Sequence, residues 1–166
     1  MAELKDLTDI LQHEIQVLYD AEKMIITALP HMAEKATDPE LKAAFMQHLE
    51  ESKRHKERLE QVCEMLKIKP DGDSSTGMKG LIAEGEKVMH KDHTPEALDA
   101  VLICAAQKIE HYEISGYGTA AHLALGLALD EVHSLLKKTL DEEQATDTKL
   151  NNLAKSNINR KAAQVS

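Results

Sequence analysis

The chain has 166 residues, enough for one domain with a substantial hydrophobic core and too few for two ordinary domains. Hydrophobic residues make up 42% and charged residues 30%, with four Pro and seven Gly, which excludes a disordered or fibrous chain, while 2% aromatics exclude an aromatic-rich β-sandwich or a base-stacking platform. A formal net charge of −9 with no Lys/Arg-rich arm argues against nucleic acid as a partner, and no apolar run reaches the ~20 residues of a membrane span, so a soluble cytoplasmic protein is expected.

In chain order, the first predicted helix runs from about Glu3 to Ala36. Its stripe Leu11, Ile15, Leu18, Glu22, Ile25, Leu29, Met32 keeps three-and-four spacing, and Pro30 is expected to kink it. Asp38 as N-cap and Pro39 at the first helical position open a second helix to about Lys67. A shorter helix, Gly77 to His90, leads to Thr94-Pro95, where the same cap-then-proline signal opens a third core helix ending near Gly126. The fourth core helix spans about Asp130 to Lys155. The expected architecture is all-α, an antiparallel four-helix bundle with an extra short helix between its two hairpins. Residues 1–156 are read as one domain and 157–166 as a frayed tail.

Laying the second half on the first with an offset of 91 residues reveals an internal repeat. Glu22 meets Glu113, and Glu51 meets Glu142, so two acids that interrupt apolar stripes recur at one separation. That pattern fits two helical hairpins packed about a pseudo-twofold axis. The second-helix stripe is Leu41, Ala44, His48, Glu51, His55, Leu59, Val62, Leu66, and the third is Leu102, Ala106, Ile109, Glu113, Gly116, Ala120, Leu123, with Glu110 on nearly the same face. The fourth is read as Val132, Leu135, Thr139, Glu142, Thr146, Leu153, with Glu143 beside it.

An unpaired buried carboxylate costs several kcal/mol, and a domain has only about 5–15 kcal/mol of net stability, so four bare ones would not be tolerated. These stripes supply no Lys or Arg, whereas two divalent cations would balance four carboxylates. Carboxylate and imidazole ligands suit iron or manganese, and the absence of nearby thiolates argues against structural zinc. A single Glu in a stripe also marks a helix drifting to the surface, which is the reading adopted for Glu14. Of nine histidines, only His48 and His55 share a stripe with a candidate acid. His111 is a candidate outer partner, and Tyr112 and Tyr117 have two readings, as donors or one-electron relays beside the acids or as core-edge packing. Cys63 and Cys104 are expected to be free, buried thiols. Gly116 and Gly118 within a helix imply close helix packing or a local bulge.

LYDAEK at 18–23, HLEES at 48–52, GLIAEGE at 80–86, AAQKIEHYEISGYGT at 105–119 and TLDEEQATD at 139–147 resemble the YciE/YciF family of bacterial stress-associated proteins, which are ferritin-like and related in fold to rubrerythrins. The resemblance implies a ferritin-like homodimer with a dinuclear metal site and no defined activity. Carried onto this sequence, its ligands are Glu22, Glu51, Glu113 and Glu142, with His48 and Glu110 as further candidates. Rubrerythrin-like sites use Glu-x-x-His on their second and fourth helices. Here Arg54 and Ala145 follow Glu51 and Glu142 by three, His48-x-x-Glu51 reverses the order, and Thr139 stands where the second repeat would place that histidine. His55 occupies a position where the family more often has Gln.

Two functions follow. One is a di-iron or di-manganese redox protein of the stress response, peroxidase- or ferroxidase-like, acting on peroxide or O₂. The other is a non-catalytic bundle with a degenerate site, whose acids are protonated, hydrated or held at a dimer interface. Iron storage or DNA protection in a closed shell ranks below both, because the extra helix lies between the repeats rather than after them.

Overall fold

The computed structural model describes residues 4–164. Among them, helix α1 spans Leu7–Lys35, α2 Pro39–Leu66, α3 Thr76–Met89, α4 Pro95–Gly126 and α5 Asp130–Leu153. The expected start of the first helix at Glu3 lies outside the described residues. Asp6 sets the start of α1 by accepting hydrogen bonds from the Thr8 and Asp9 amides at 2.8 and 3.0 Å. Pro30 lies within α1, which continues past it to Lys35. Asp38 and Thr94 cap α2 and α4, each followed by proline at the first helical position. Left-handed backbone at Lys67 (φ 57°) ends α2, and Ala128 (φ 56°) turns the chain between α4 and α5.

The expected tail is partly structured. A π-helical turn at Ala154–Ile158 extends α5 into a short helix α6, Asn159–Ala163, and Ile158 is buried. Polar contacts at this end were invisible to a periodicity reading: Asn157 and Lys161 donate to Asp38 Oδ2 at 3.0 and 3.2 Å. Residues 165 and 166 lie outside the described residues.

Helix α1 packs on α2 and α4, and α5 packs on α4 and α2. Thr37, just after α1, binds Asp99 near the start of α4, while Tyr117 further along α4 reaches back to Glu22. In the other pair Lys149 meets Gln47 and Arg58 meets Thr139. All four neighbouring pairs are therefore antiparallel, which leaves α2 and α4 parallel across the diagonal. Their connection must climb back along the bundle, and residues 67–94 with α3 do so against α1 and α4. Polar contacts fasten this crossover to α1 through His13–Asp73 (2.7 Å), Lys23–Asp71 (2.8 Å) and the Ser75 amide to Asp20 (2.8 Å). Gly116 lets α1 approach α4, since a Cβ there would meet Leu18 Cδ2 at 2.8 Å.

The core is divided. One apolar cluster gathers Ile25, Leu29, Phe45, Leu102, Ile109 and Leu150 among others, and a second gathers Leu11, Ile15, Leu59, Val62, Ala120 and Leu136. Between them the helix interiors carry polar groups. Cys63 is buried as expected, but Cys104 is exposed, because it lies off the buried face of α4 that carries Leu102, Ile103 and Ala106.

Candidate metal centre

Each core helix turns at least one ionisable side chain into the gap between the two apolar clusters. Helix α1 contributes Glu22, α2 contributes His48 and His55 two helical turns apart, α4 contributes Glu110 and Glu113, and α5 contributes Glu143. All six are buried, Glu22, His55, Glu113 and Glu143 completely. The spacing of three within Glu110/Glu113 and of seven within His48/His55 keeps each pair on one helix face.

Of the residues singled out in the sequence, the structure brings Glu22, His48, His55, Glu110 and Glu113 together in this interior. Glu51 and Glu142 stand at its rim, with side chains 17% and 29% exposed. On α5 the interior acid is Glu143, one residue on and thus about 100° around the helix from Glu142. The buried residues of α5 are Val132, Leu136, Thr139, Leu140, Glu143, Leu150 and Leu153, which keeps Val132, Thr139 and Leu153 of the predicted stripe but not Leu135, Glu142 and Thr146. The expectation that no Lys or Arg meets these acids also needs correction. Arg58, buried along α2, donates to Thr139 Oγ1 at 2.5 Å and to Glu142 at 3.1 and 3.3 Å. Its long stem lets the guanidinium reach across from a position off the predicted stripe.

The ligand-type atoms form two adjoining groups. One oxygen or nitrogen from each of His48, Glu110, Glu113 and Glu143 lies within 4.8 Å of the others, and the same holds for Glu22, His55 and Glu143. Glu143 belongs to both. His48 Nε2 is 3.2 Å from Glu110 and 3.9 Å from Glu143. His55 Nδ1 is 2.8 Å from Glu143 Oε1 and 3.4 Å from Glu22 Oε1, aligned for a hydrogen bond with neither. Tyr117 donates to Glu22 Oε1 at 2.6 Å, which bears out the donor reading. Tyr112 is engaged instead with Ser75 (2.9 Å), and exposed His111 with Asp147 (3.1 Å).

Many of these buried atoms are orphaned. Both oxygens of Glu113 and of Glu143, Glu22 Oε2, Glu110 Oε2, His48 Nε2, His55 Nδ1 and Ser52 Oγ have no hydrogen-bond partner. Native interiors rarely leave such groups unpaired, at about 1–3 kcal/mol each, and here they converge on one space. Carboxylate and imidazole atoms with free lone pairs are the donor set of a divalent cation, so the residues present fit a bound metal ion.

Electrostatics of the site reflect the crowding. Burial, reinforced by Glu143, pushes the Glu110 and Glu113 carboxyls well above the usual range. Burial also raises the Tyr117 phenol, with Glu22 adding to it. Burial alone would depress the His55 imidazole, but Glu143 and Glu22 outweigh it and hold it at about 10. The same proximity overrides burial at Glu143 and keeps its carboxyl low. At the rim, His48 beside Glu51 brings that carboxyl down to about 2, and at Glu142 Arg58 and His55 overcome burial to lower it.

Sequence reasoning missed Glu143 as an interior residue because the repeat selected Glu142, the partner of Glu51. Under the 91-residue offset Glu143 pairs with Ser52, and His55 with Thr146, so the site keeps the repeat at Glu22 and Glu113 but not on α2 and α5. A signal was present: Leu136, Leu140, Glu143 and Leu150 form a more apolar stripe than Leu135, Thr139, Glu142 and Thr146.

The fold and sequence have known relatives. The domain of unknown function DUF892 matches residues 6–163. Protein YciF of Escherichia coli (strain K12) is 44% identical over 162 residues, 96% of each chain. The crystal structure of the E. coli stress protein YciF superposes with a TM-score of 0.90 at 42% identity, covering 95% of this chain and 99% of that one. YcfI of Rhodopseudomonas palustris gives 0.87 at 38%, covering 90% and 95%. A Xanthomonas campestris protein at 20% identity and 0.70 shares the fold, over 91% and 92%. The chain thus belongs to the DUF892 family, the YciE/YciF family that its motifs resemble.

Proposed function

We propose that this protein binds two divalent metal ions, iron or manganese, at the centre of a ferritin-like bundle and acts in redox protection against peroxide or O₂. The observation that carries this reading is Glu143, fully buried and common to two adjoining groups of ligand atoms. His48, Glu110, Glu113 and Glu143 would hold one ion, and Glu22, His55 and Glu143 the other. Four interior carboxylates then match the charge of two divalent cations. When bound, such a pair supplies one- or two-electron chemistry toward a small oxidant.

The surrounding residues would shape that chemistry. Apolar clusters on both sides exclude bulk water, and Tyr117, hydrogen-bonded to Glu22, places an oxidisable phenol beside the site. A cleft of about 160 Å³ between α2 and α5, lined by Gln47, Glu51, Glu142, Thr146 and Lys149, offers a small ion or oxidant an acidic approach from solvent. The stress-protein description of E. coli YciF supports the physiological side of the reading.

One observation favours the non-catalytic alternative: His55 and Arg58 supply positive charge to Glu143 and Glu142 from within the chain. Elemental analysis of protein purified without chelators separates the two. Close to two iron or manganese ions per chain are expected, with loss of both in Glu143→Ala. Metal-free protein that takes up neither ion, and whose melting temperature ignores chelator, would overturn the metal reading, since a ligand bound only by the folded state must stabilise it.

A further inference from the structure

His55 faces two ways. Its Nδ1 lies in the interior, 2.8 Å from Glu143 and 3.4 Å from Glu22, while Nε2 lies 2.7 Å from Glu142 Oε2 at the rim. Glu142 is in turn held by Arg58, whose two terminal nitrogens reach its two oxygens at 3.1 and 3.3 Å, and Arg58 is braced by Thr139 at 2.5 Å. An imidazole that offers one nitrogen to a cation needs the proton on its other nitrogen. A carboxylate at hydrogen-bond distance from that second nitrogen fixes both the tautomer and the ring plane.

From this arrangement we infer that Glu142, locked by Arg58, is a positioning residue that orients His55 to present Nδ1 to one of the two ions, rather than a ligand itself. The inference rests on the proposed metal centre and assigns its rim. Two features support it. Glu142 is absent from both groups of converging ligand atoms, whereas His55 and its neighbour Glu143 are present. Both Glu142 oxygens already accept hydrogen bonds from Arg58 and His55, while neither Glu143 oxygen has a hydrogen-bond partner. Glu51, its repeat partner, stands behind His48 in a looser version of the same relation, 3.8 Å from Nδ1, with the Thr146 hydroxyl 3.5 Å from each. That separation is too long for a direct hydrogen bond, so only the Glu142 pair carries the inference.

Zinc(II), diamagnetic and redox-silent, is the probe, titrated into the full chain against a chromophoric chelator. Wild-type protein is expected to bind two zinc ions, and long-range proton–nitrogen NMR of the loaded form should show the remaining His55 proton on Nε2. Glu142→Leu should weaken one ion roughly 10- to 100-fold and leave the other unchanged. Glu142→Gln keeps an oxygen acceptor and should restore most of that affinity together with the Nε2 proton. His55→Gln should lose the same ion, and Arg58→Gln should weaken it without adding to the effect of Glu142→Leu.

Wild-type affinity for both ions in Glu142→Leu would overturn the inference. So would loss of an ion in Glu142→Leu that His55→Gln retains, which would make Glu142 the ligand. If Glu142→Leu does not fold, the wild-type NMR signal still decides: a His55 proton on Nδ1 in the loaded protein refutes the orientation. Failure of the wild type to bind zinc, iron or manganese refutes the metal centre itself, a result distinct from normal binding with an unaffected Glu142→Leu.

Discussion

Replacing Glu113 by leucine should stabilise the chelator-treated protein and destabilise the metal-loaded one relative to wild type. Glu113 is fully buried on α4 and neither of its oxygens has a partner. Leaving such a group unsatisfied costs about 1–3 kcal/mol, and substitution of buried ionisable groups by apolar ones of similar volume gains about 1–4 kcal/mol. For a chain of this size, 1 kcal/mol corresponds to about 2–4 °C in melting temperature, so Glu113→Leu should melt roughly 2–15 °C above wild type in chelator. Metal reverses the order. An ion present at about 1,000 times its dissociation constant stabilises the folded state by about 4.1 kcal/mol, enough to offset that gain, and the variant has lost a ligand to the His48-containing group.

Thermal melts of both proteins, in EDTA and in excess manganese(II), read the crossing directly. A variant that melts below wild type in EDTA would refute the reasoning. It would mean that the Glu113 carboxyl stabilises the metal-free fold. Equal melting of wild type with and without manganese would remove the second half of the expectation.

Two further outcomes concern parts of the fold away from the site. Asp38 caps α2 and accepts from Asn157 and Lys161, and although burial raises its pKa, Lys161 and the Leu41 and Glu40 amides outweigh burial and place it below the usual range. A depressed folded pKa contributes stability that is full above the unfolded value of ~3.9 and is lost as pH falls through the folded value. Asp38→Ala should therefore cost about 0.5–2 kcal/mol at pH 7 in denaturant unfolding, with the gap to wild type closing in strong acid; a gap that widens in acid contradicts it. Burial pushes the Cys63 thiol up to about 11, whereas Cys104 is exposed. A disulfide-exchange reagent should label Cys104 quickly and Cys63 only on unfolding, and rapid labelling of both thiols in native protein would show that α2 opens readily.

The sequence alone determined the helices, their order and the acidic character of their interior. Three-and-four spacing is a local property of each segment, and cap-proline signals at Asp38-Pro39 and Thr94-Pro95 act within one turn, so boundaries there could be read without tertiary information. The motifs also named the family. Glu22, Glu113, Glu110, His48 and His55 were legible as interior residues because each interrupts, or lies beside, an otherwise apolar stripe.

What only the tertiary structure decided was the rotation of each helix about its own axis. Adjacent residues on a helix differ by about 100°, so a small choice of face exchanges Glu142 for Glu143, and where two overlapping stripes competed the packing of α5 against α2 and α4 chose between them. Rotation set in this way brings His55 from α2 between Glu143 and Glu142 of α5, and lets Arg58 reach an acid 84 residues later in the chain. A repeat read from sequence assumes that equivalent positions do equivalent work. Packing instead placed Glu51 and Glu142 at the rim and gave the shared interior position to Glu143, whose counterpart in the first repeat is Ser52.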